Sequence, residues 1–303
     1  MVLGGSNSRL NSELVGGGVP TVTVEIPWLK IAFLTIAGIC LYVSGNFFND
    51  WMDRHWDAER RPERALPRRL FTESSYRNVA IFLSLAGVGF AATINIPTCV
   101  TAVAIVFWII VYTIWHKRSA WAVVPMGLCR ALLPIMGAVG MLPLDATRTY
   151  IHRWQIPGVA AGVLLFLYIV TLSAAARNES RHVPSKNSIN WHQLLFLLPP
   201  LIVTCLFALS GSEIALVVWI PYIVWQVICH TLNRRPISKY VSSLLAGIPL
   251  VDWLILLPFP FLQVDWAPLE SHVSSDPFAW ISFAIPPIAF ISALLLQKLA
   301  PAT

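Results

Sequence analysis

Asn49, Asp53 and Asp57 are spaced i, i+4 and i+8, so that on a helix their side chains would share one face. Two carboxylates four residues apart repel each other by roughly 0.2–0.5 kcal/mol on a bare helix, and a divalent cation offsets that cost. Mg²⁺ takes one or two carboxylates and fills its other positions with water and phosphate oxygens. We therefore interpret these three residues as candidate catalytic and metal-binding groups, with the adjacent Asp50 as either a further ligand or a residue that contacts the ligands.

A run of arginines follows the acidic group directly: Arg60, Arg61, Arg64, Arg68 and Arg69. Guanidinium groups match phosphate oxygens in a bidentate way. Acidic residues followed by arginines therefore suit a metal-bound diphosphate and would stabilise it as it departs. The alternative interpretation is a charged, solvated loop without a site, because short patterns often occur by chance.

The rest of the chain is far more apolar than this segment. Of its 303 residues, 56% are hydrophobic and only 12% are charged, and the mean hydropathy is +0.68, whereas about a quarter of a soluble domain is charged. Apolar stretches long enough to cross a bilayer as helices recur along the chain. We predict an all-α polytopic membrane protein with spans at about 29–48, 78–96, 98–115, 121–143, 155–176, 191–210, 213–232, 240–262 and 277–299. The acidic face further requires that the first helix continue beyond Phe48.

The distribution of Lys and Arg predicts which way this bundle faces. Sixteen of the 21 lie on one side of the predicted spans and four on the other, while Arg130 falls inside a span. Lys and Arg concentrate on the cytoplasmic side of membrane proteins. We therefore expect a multi-pass plasma-membrane protein whose charged segment is cytoplasmic. The net charge of +6 then reflects topology rather than nucleic-acid binding.

A few polar residues in apolar surroundings need their own interpretation. The five cysteines are scattered without a close pair and are interpreted as small buried residues. His116 and His230 lie near the ends of spans, where amphipathic rings commonly anchor. Arg130 and Asp252 lie within spans, so they either pair with each other or serve a site, with Arg130 as a diphosphate ligand.

The segment YVSGNFFNDWMDRHWDAERRPERALPRR, residues 42–69, resembles the first signature of the UbiA family of membrane prenyltransferases. The Asn-Asp-x-x-Asp-x-x-x-Asp pattern and its Arg-Pro-x-Arg-Pro-type tail are matched by Asn49, Asp50, Asp53, Asp57, Arg61, Pro62, Arg64 and Pro67. The sequence departs from that signature at Ala65, where Pro is usual, and at Arg68 and Arg69, which replace Ser-Gly. Later segments such as MGLCRALLPIMG and LLAGIPLVDWLIL are similar to a bacterial, EboC-like branch of the family.

The resemblance implies an all-helical bundle around a central cavity open to lipid. In that cavity an isoprenyl diphosphate ionises with Mg²⁺ and alkylates an aromatic or other acceptor. Asn49, Asp53 and Asp57 would hold the metal, and Arg61 and Arg64 would contact the phosphates. The implied partners are the donor, an unknown acceptor and the bilayer, with neither nucleic acid nor a protein partner indicated. Residues 27–303 would form one such domain, and residues 1–26 a remnant or part of a preceding helix.

Catalytic members of the family carry a second Asp-rich motif, and the corresponding stretch here lacks it. Residues 173–190, SAAARNESRHVPSKNSIN, contain no Asp and a single carboxylate, Glu179. Glu179 is either a ligand for a second metal or an ordinary residue near a helix end. The missing motif favours an alternative function, a non-catalytic or lipid- or precursor-transporting protein on the same scaffold.

Overall fold

The computed structural model describes residues 28–60, 62–116, 119–141, 148–181, 195–208, 214–233, 236–256 and 277–299. Regular structure in these residues is helical, which confirms the predicted all-α class. In chain order the helices are α1 (Trp28–Arg60), α2 (Glu73–Ala92), α3 (Ile96–Trp115), α4 (Val123–Gly140), α5 (Arg148–Arg181), α6 (Leu198–Ala208), α7 (Ile214–Thr231), α8 (Ile237–Ala246), α9 (Ile248–Leu256) and α10 (Pro277–Leu299). Short 3₁₀ turns, Ala120–Ala122 and Leu195–Leu197, precede α4 and α6.

Five of these helices are long and apolar enough to cross a membrane: Trp28–Glu59, Glu73–Ala92, Ile96–Trp115, Val123–Gly140 and Gly158–Ala176. Their outer faces carry large apolar side chains that the protein leaves exposed. Phe82 is 69% exposed, Leu85 67% and Val100 62%. Such faces are unfavourable in water and favourable against lipid tails. The chain is a multi-pass membrane protein.

Side-chain caps fix where α2 and α3 begin. The Thr72 hydroxyl accepts a hydrogen bond from the Ser75 backbone N–H at 3.2 Å, one turn into α2. The Asn95 carboxamide oxygen accepts from the Thr98 N–H at 2.8 Å, and its Nδ2 donates to the Val139 carbonyl at 3.0 Å. Asn95 therefore caps α3 and ties its start to the end of α4.

Two apolar cores divide the bundle. The first core joins the four helices α1, α2, α3 and α4, and its buried residues are Ala37, Leu41, Ala91, Ala102, Ile105, Ile109 and Met136. The second joins α5 to α6, α7, α8 and α9 through residues that include Tyr168, Val203, Tyr222, Tyr240 and Leu254. Helix α5 belongs to the second core and also packs along α4. It is therefore the element that links the two halves.

Small residues let α4 and α5 approach closely. Gly158 and Gly162 lie one turn apart on α5, in a Gly-x-x-x-Gly arrangement that is typical of close helix contacts in membranes. A Cβ atom added to Gly162 would lie 2.8 Å from the Ala131 carbonyl oxygen of α4. The glycine therefore leaves space that the facing backbone occupies.

The span predicted at 240–262 is helical in its described part but contains a break, and residues 257–262 lie outside the described residues. The structure breaks it at Gly247, between α8 and α9. A Cβ atom there would lie 2.7 Å from the Tyr168 hydroxyl and 3.0 Å from the Trp225 ring. Tyr168 donates to the Leu244 carbonyl at 2.6 Å and Trp225 Nε1 donates to that of Ser243 at 2.9 Å. The Gly247 N–H also donates to the Leu244 carbonyl, at 3.0 Å. Together these bonds satisfy carbonyls at the end of α8, which is what a break within a membrane requires.

Candidate active site

Helix α1 continues well beyond Phe48, as the acidic pattern requires, and ends at Arg60. It brings Asn49, Asp53 and Asp57 to one face, on which Asn49 is half-buried and the two carboxylates are buried. Asp53 is 8% exposed and Asp57 only 2%. A buried carboxylate is costly unless it is paired or bound to a cation, so each of these two residues needs a partner.

Asp57 and Asp50 are both contacted by the same arginine of the following segment. Arg64 Nη1 lies 2.8 Å from Asp57 Oδ2 and 3.6 Å from Asp50 Oδ1. The second oxygen of Asp57 is buried and has no hydrogen-bond partner among the described residues, and the same is true of the Asn49 carboxamide oxygen. Arg64 thus holds the segment after α1 against the acidic face while leaving these two oxygens open to another ligand.

The turn that follows Arg64 has the geometry of a helix C-cap. The Leu70 N–H bonds to the Ala65 carbonyl at 3.1 Å, and the Arg69 N–H bonds to that of Leu66 at 2.9 Å. Arg69 has a φ of 56°. This is the Schellman pattern, in which glycine normally occupies the left-handed position. The sequence departs from the family signature at this same residue.

Asp53 is contacted by His116, which follows directly after α3. His116 Nε2 lies 3.0 Å from Asp53 Oδ1 and 3.2 Å from Oδ2, and its Nδ1 lies 3.0 Å from the Thr113 carbonyl oxygen. The interpretation of His116 as a membrane-surface anchor missed this contact. Its partner is 63 residues earlier in the chain, and no local pattern in the sequence joins the two.

Two adjoining cavities border the acidic face. A polar crevice of about 230 Å³ is lined by Asp50, Asp57, Arg64, Ala65, Leu66, Pro67 and Tyr76. A central cavity of about 340 Å³ lies between α1, α3 and α4, and its lining includes Asn46, Asn49, Asp50, Tyr112, Cys129 and Arg130. Asp50 lines both, so the polar crevice and the more apolar central cavity meet at the acidic face.

The remaining predicted site residues are placed as follows. Arg130 lines the central cavity with Asn49 and Asp50, and its guanidinium carbon lies 4.3 Å from the centre of the Tyr42 ring. No ion pair joins Arg130 to Asp252, although the structure describes both residues. Glu179 belongs to α5, but its side chain and the whole of Arg61 lie outside the described residues.

Known proteins resemble this chain over part of its length. The UbiA prenyltransferase family profile matches residues 20–235, more than half of the chain. A protoheme IX farnesyltransferase of Pyrobaculum neutrophilum is 31% identical over 114 residues, which cover 36% of this chain and 40% of that protein. Protoheme IX farnesyltransferase 1 of Bacillus subtilis is 29% identical over 123 residues, 38% of each chain.

The chain therefore matches these two relatives over about two fifths of their length. No solved structure matches it. The family match runs from before α1 to the end of α7 and includes the acidic face, Arg64, His116 and Arg130. With the helical membrane fold and the buried acidic face on α1, it establishes that the chain belongs to the UbiA prenyltransferase family.

Proposed function

We propose that this protein transfers an isoprenyl-type group from its Mg²⁺-bound diphosphate to an acceptor within the membrane. The observation that carries the proposal is the acidic face of α1, where one oxygen each of Asn49 and Asp57 has no partner among the described residues and Arg64 contacts Asp57. Membership of a prenyltransferase family and partial similarity to two farnesyltransferases support it. A lipid-facing fold suits a donor with a long apolar tail and a charged head.

The residues present fit a magnesium ion that is shared with a substrate. No group of three His, Cys, Asp or Glu side chains in the described part of the chain is close enough to hold a metal alone. Mg²⁺ does not need such a group, because it typically uses one or two carboxylates with water and substrate phosphates. Asn49, Asp53 and Asp57 would hold it, with Asp50 beside them and Glu179 as a candidate for a second ion. Bound there, the ion would neutralise the departing diphosphate.

The cationic residues would complete the diphosphate site. Arg64 lines the polar crevice on one side of Asp50, and Arg130 lines the central cavity on the other. Their forked guanidinium groups can each bind two phosphate oxygens. Arg61 follows α1 directly and would add a third such group. The prenyl tail would extend from this polar end along the apolar walls of the central cavity.

Release of inorganic diphosphate tests the proposal. Purified protein would be assayed in detergent with geranyl, farnesyl and geranylgeranyl diphosphates and with protoheme IX, phenolic and quinol acceptors, first with Mg²⁺ and then with EDTA. We expect EDTA to abolish release and Asp53→Asn to lower it roughly 100-fold, the scale on which electrostatic stabilisation of a transition state is lost. Glu59→Gln is the matched control, since Glu59 lies on the same helix but is exposed.

Undiminished release by a folded Asp53→Asn variant would contradict the assignment of the site. The alternative function remains a non-catalytic or transporting protein on the same scaffold. It is favoured by the missing second Asp-rich motif and by the protein partners that Asp53 and Asp57 already have. Mg²⁺-dependent binding of a prenyl diphosphate without any release would support it.

We also propose that the arginine-rich side of the bundle faces the cytoplasm and that the protein resides in the plasma membrane. The proposal rests on the unequal distribution of Lys and Arg, most of which fall on the side where α1 ends. The diphosphate site then opens towards the compartment that would supply a soluble or membrane-bound donor.

A further inference from the structure

The turn between α1 and α2 has an inner and an outer side. Residues 64–67 line the polar crevice. The next four residues are exposed and line neither that crevice nor the central cavity, and we call them the outer patch: Arg68, Arg69, Leu70 and Phe71. The sequence grouped Arg68 and Arg69 with the arginines of a diphosphate site. The lining of the two cavities gives them no part in it.

The outer patch lies at the depth of the lipid headgroups. Helix α2 begins at Glu73, directly after the N-cap residue Thr72, and has 20 residues. A helix of that length extends about 30 Å, which matches the hydrocarbon thickness of a bilayer. The residues immediately before α2 therefore fall in the headgroup layer, beyond the lipid tails.

The two arginines of the outer patch have no acidic partner among the described residues. Neighbouring arginines do form such pairs. Arg54 Nε lies 2.7 Å from Glu73 Oε2, and Arg64 Nη1 lies 2.8 Å from Asp57 Oδ2. Cations that lack a protein partner at headgroup depth attract anionic lipids.

Two large apolar side chains complete the outer patch. Leu70 is 60% exposed and Phe71 is 59% exposed. Apolar side chains beside cations are typical of segments that lie in a membrane interface, where the apolar groups contact the upper acyl chains and the charges stay among the headgroups. The Phe71 ring also lies 5.9 Å from the ring of Tyr76, which lines the polar crevice.

The backbone of Arg69 supports a use for its side chain. Its φ of 56° is the conformation in which glycine is normally found, and the family signature has glycine at this position. Backbone strain of this kind persists mainly where a protein uses it or the side chain it carries. Glycine at 69 would remove the strain and would also remove a cation from the outer patch.

We propose that the outer patch binds the headgroup of an anionic phospholipid in the bilayer that the protein spans. The guanidinium groups of Arg68 and Arg69 would bind its phosphate oxygens, while Leu70 and Phe71 contact the upper acyl chains. The lipid would thereby hold the outer side of the turn whose inner side lines the polar crevice. This binding does not depend on the proposed prenyl transfer.

Native mass spectrometry tests the affinity. The purified protein would be titrated in detergent with phosphatidylglycerol and with phosphatidylcholine of the same acyl chains. We expect tighter binding of phosphatidylglycerol, and a loss of about fivefold in Arg68→Gln and again in Arg69→Gly, since each arginine near an anionic surface contributes about that factor. Lys239→Gln is the matched control, because Lys239 is exposed at the start of α8 on the same predicted side, and should leave the affinity unchanged.

Hydrogen exchange in lipid nanodiscs would locate the contact. Backbone amides of residues 68–72 should exchange more slowly with phosphatidylglycerol than with phosphatidylcholine alone, and soluble glycerol 1-phosphate should not reproduce that protection. Equal exchange in the two lipids would overturn the proposal, as would wild-type affinity in an Arg68→Gln, Arg69→Gly double variant. Protection by glycerol 1-phosphate would also overturn it, since the patch would then bind a free phosphate. Neither measurement involves turnover, so the outcome is independent of the donor site.

Discussion

Arg69 adopts a backbone conformation that favours glycine, directly beside the candidate diphosphate site. Its φ is 56°, and it directly precedes Leu70, the residue at which the turn ends. A side chain in the left-handed region costs roughly 1–2 kcal/mol for most residues. Arg69 therefore carries local backbone strain. The preceding residue, Arg68, has no positive φ and carries no such strain.

We expect Arg69→Gly to stabilise the protein by about 0.5–1 kcal/mol. The relief of strain exceeds the extra unfolded-state entropy that glycine brings, which is about 0.4–1 kcal/mol. Arg68→Gly is the matched control and should be destabilising, since it adds that entropy and relieves nothing. Tm in detergent measures both. Equal losses of Tm in the two variants would show that Arg69 is not strained.

The acidic face shows which part of a site a sequence can predict. The i, i+4, i+8 spacing was sufficient to predict that Asn49, Asp53 and Asp57 share a face, because helical geometry is local. The contact of His116 with Asp53 was not predictable, since it depends on how α3 packs against α1. The sequence also left open whether Arg130 pairs with Asp252, and the structure places both on one cavity without a contact.

At the scale of elements, glycines in α4 and α5 differ in what surrounds them. A Cβ on Gly162 would meet the Ala131 carbonyl oxygen at 2.8 Å and the Ile135 side chain at 3.0 Å, whereas one on Gly137 would meet nothing within 4 Å. The first glycine therefore lies at a helix contact and the second faces open space. The two glycines therefore form a matched pair, one inside the α4–α5 contact and one outside it.

Gly162→Ala should destabilise the protein by about 1–3 kcal/mol, because the added methyl group pushes against the backbone of α4. Gly137→Ala should be neutral or stabilising by up to about 1 kcal/mol, since alanine is the better helix former. Thermal unfolding in the same detergent would compare the two. A stabilising Gly162→Ala would mean that α4 and α5 can separate at no cost.

Helices were predictable from the sequence where local composition determines them. They were not predictable where a side chain from another helix determines where a helix ends. Long apolar stretches predicted helices that the structure confirms, but the predicted span 78–96 ran past the end of α2 at Ala92 and included Asn95, which caps α3. The break at Gly247 was missed because a lone glycine inside an apolar run is compatible with a continuous helix. The position of the break depends on Tyr168 of α5 and Trp225 of α7, which donate hydrogen bonds to carbonyls at the end of α8.

At the scale of the whole molecule, the two ends of the α1–α2 pair differ in charge. Glu63 is exposed in the arginine-rich segment after α1, and Thr93 is exposed in the turn after α2. Because α2 crosses in the opposite direction, these two residues lie on opposite sides of the membrane. They are well placed to report which side faces the cytoplasm.

We expect a membrane-impermeant maleimide to label Thr93→Cys in intact spheroplasts and to label Glu63→Cys only after lysis. Both variants would be made in a background in which the five native cysteines are replaced by serine. The expectation follows from the excess of Lys and Arg on the side of Glu63. Labelling of Glu63→Cys before lysis would place the candidate diphosphate site on the outer side.

The break between α8 and α9 has a consequence for how this sequence can change over evolutionary time. Gly247 leaves space for Tyr168, and Tyr168 and Trp225 satisfy the carbonyls that the break exposes. Placing a side chain at 247 alone creates a collision with the Tyr168 hydroxyl. Losing Trp225 alone removes the donor to the Ser243 carbonyl, and losing Tyr168 leaves the Leu244 carbonyl with only the Gly247 N–H. Each single step is therefore penalised before a compensating one can follow. Among homologues that share the break, we expect these three positions to be inherited together or replaced together.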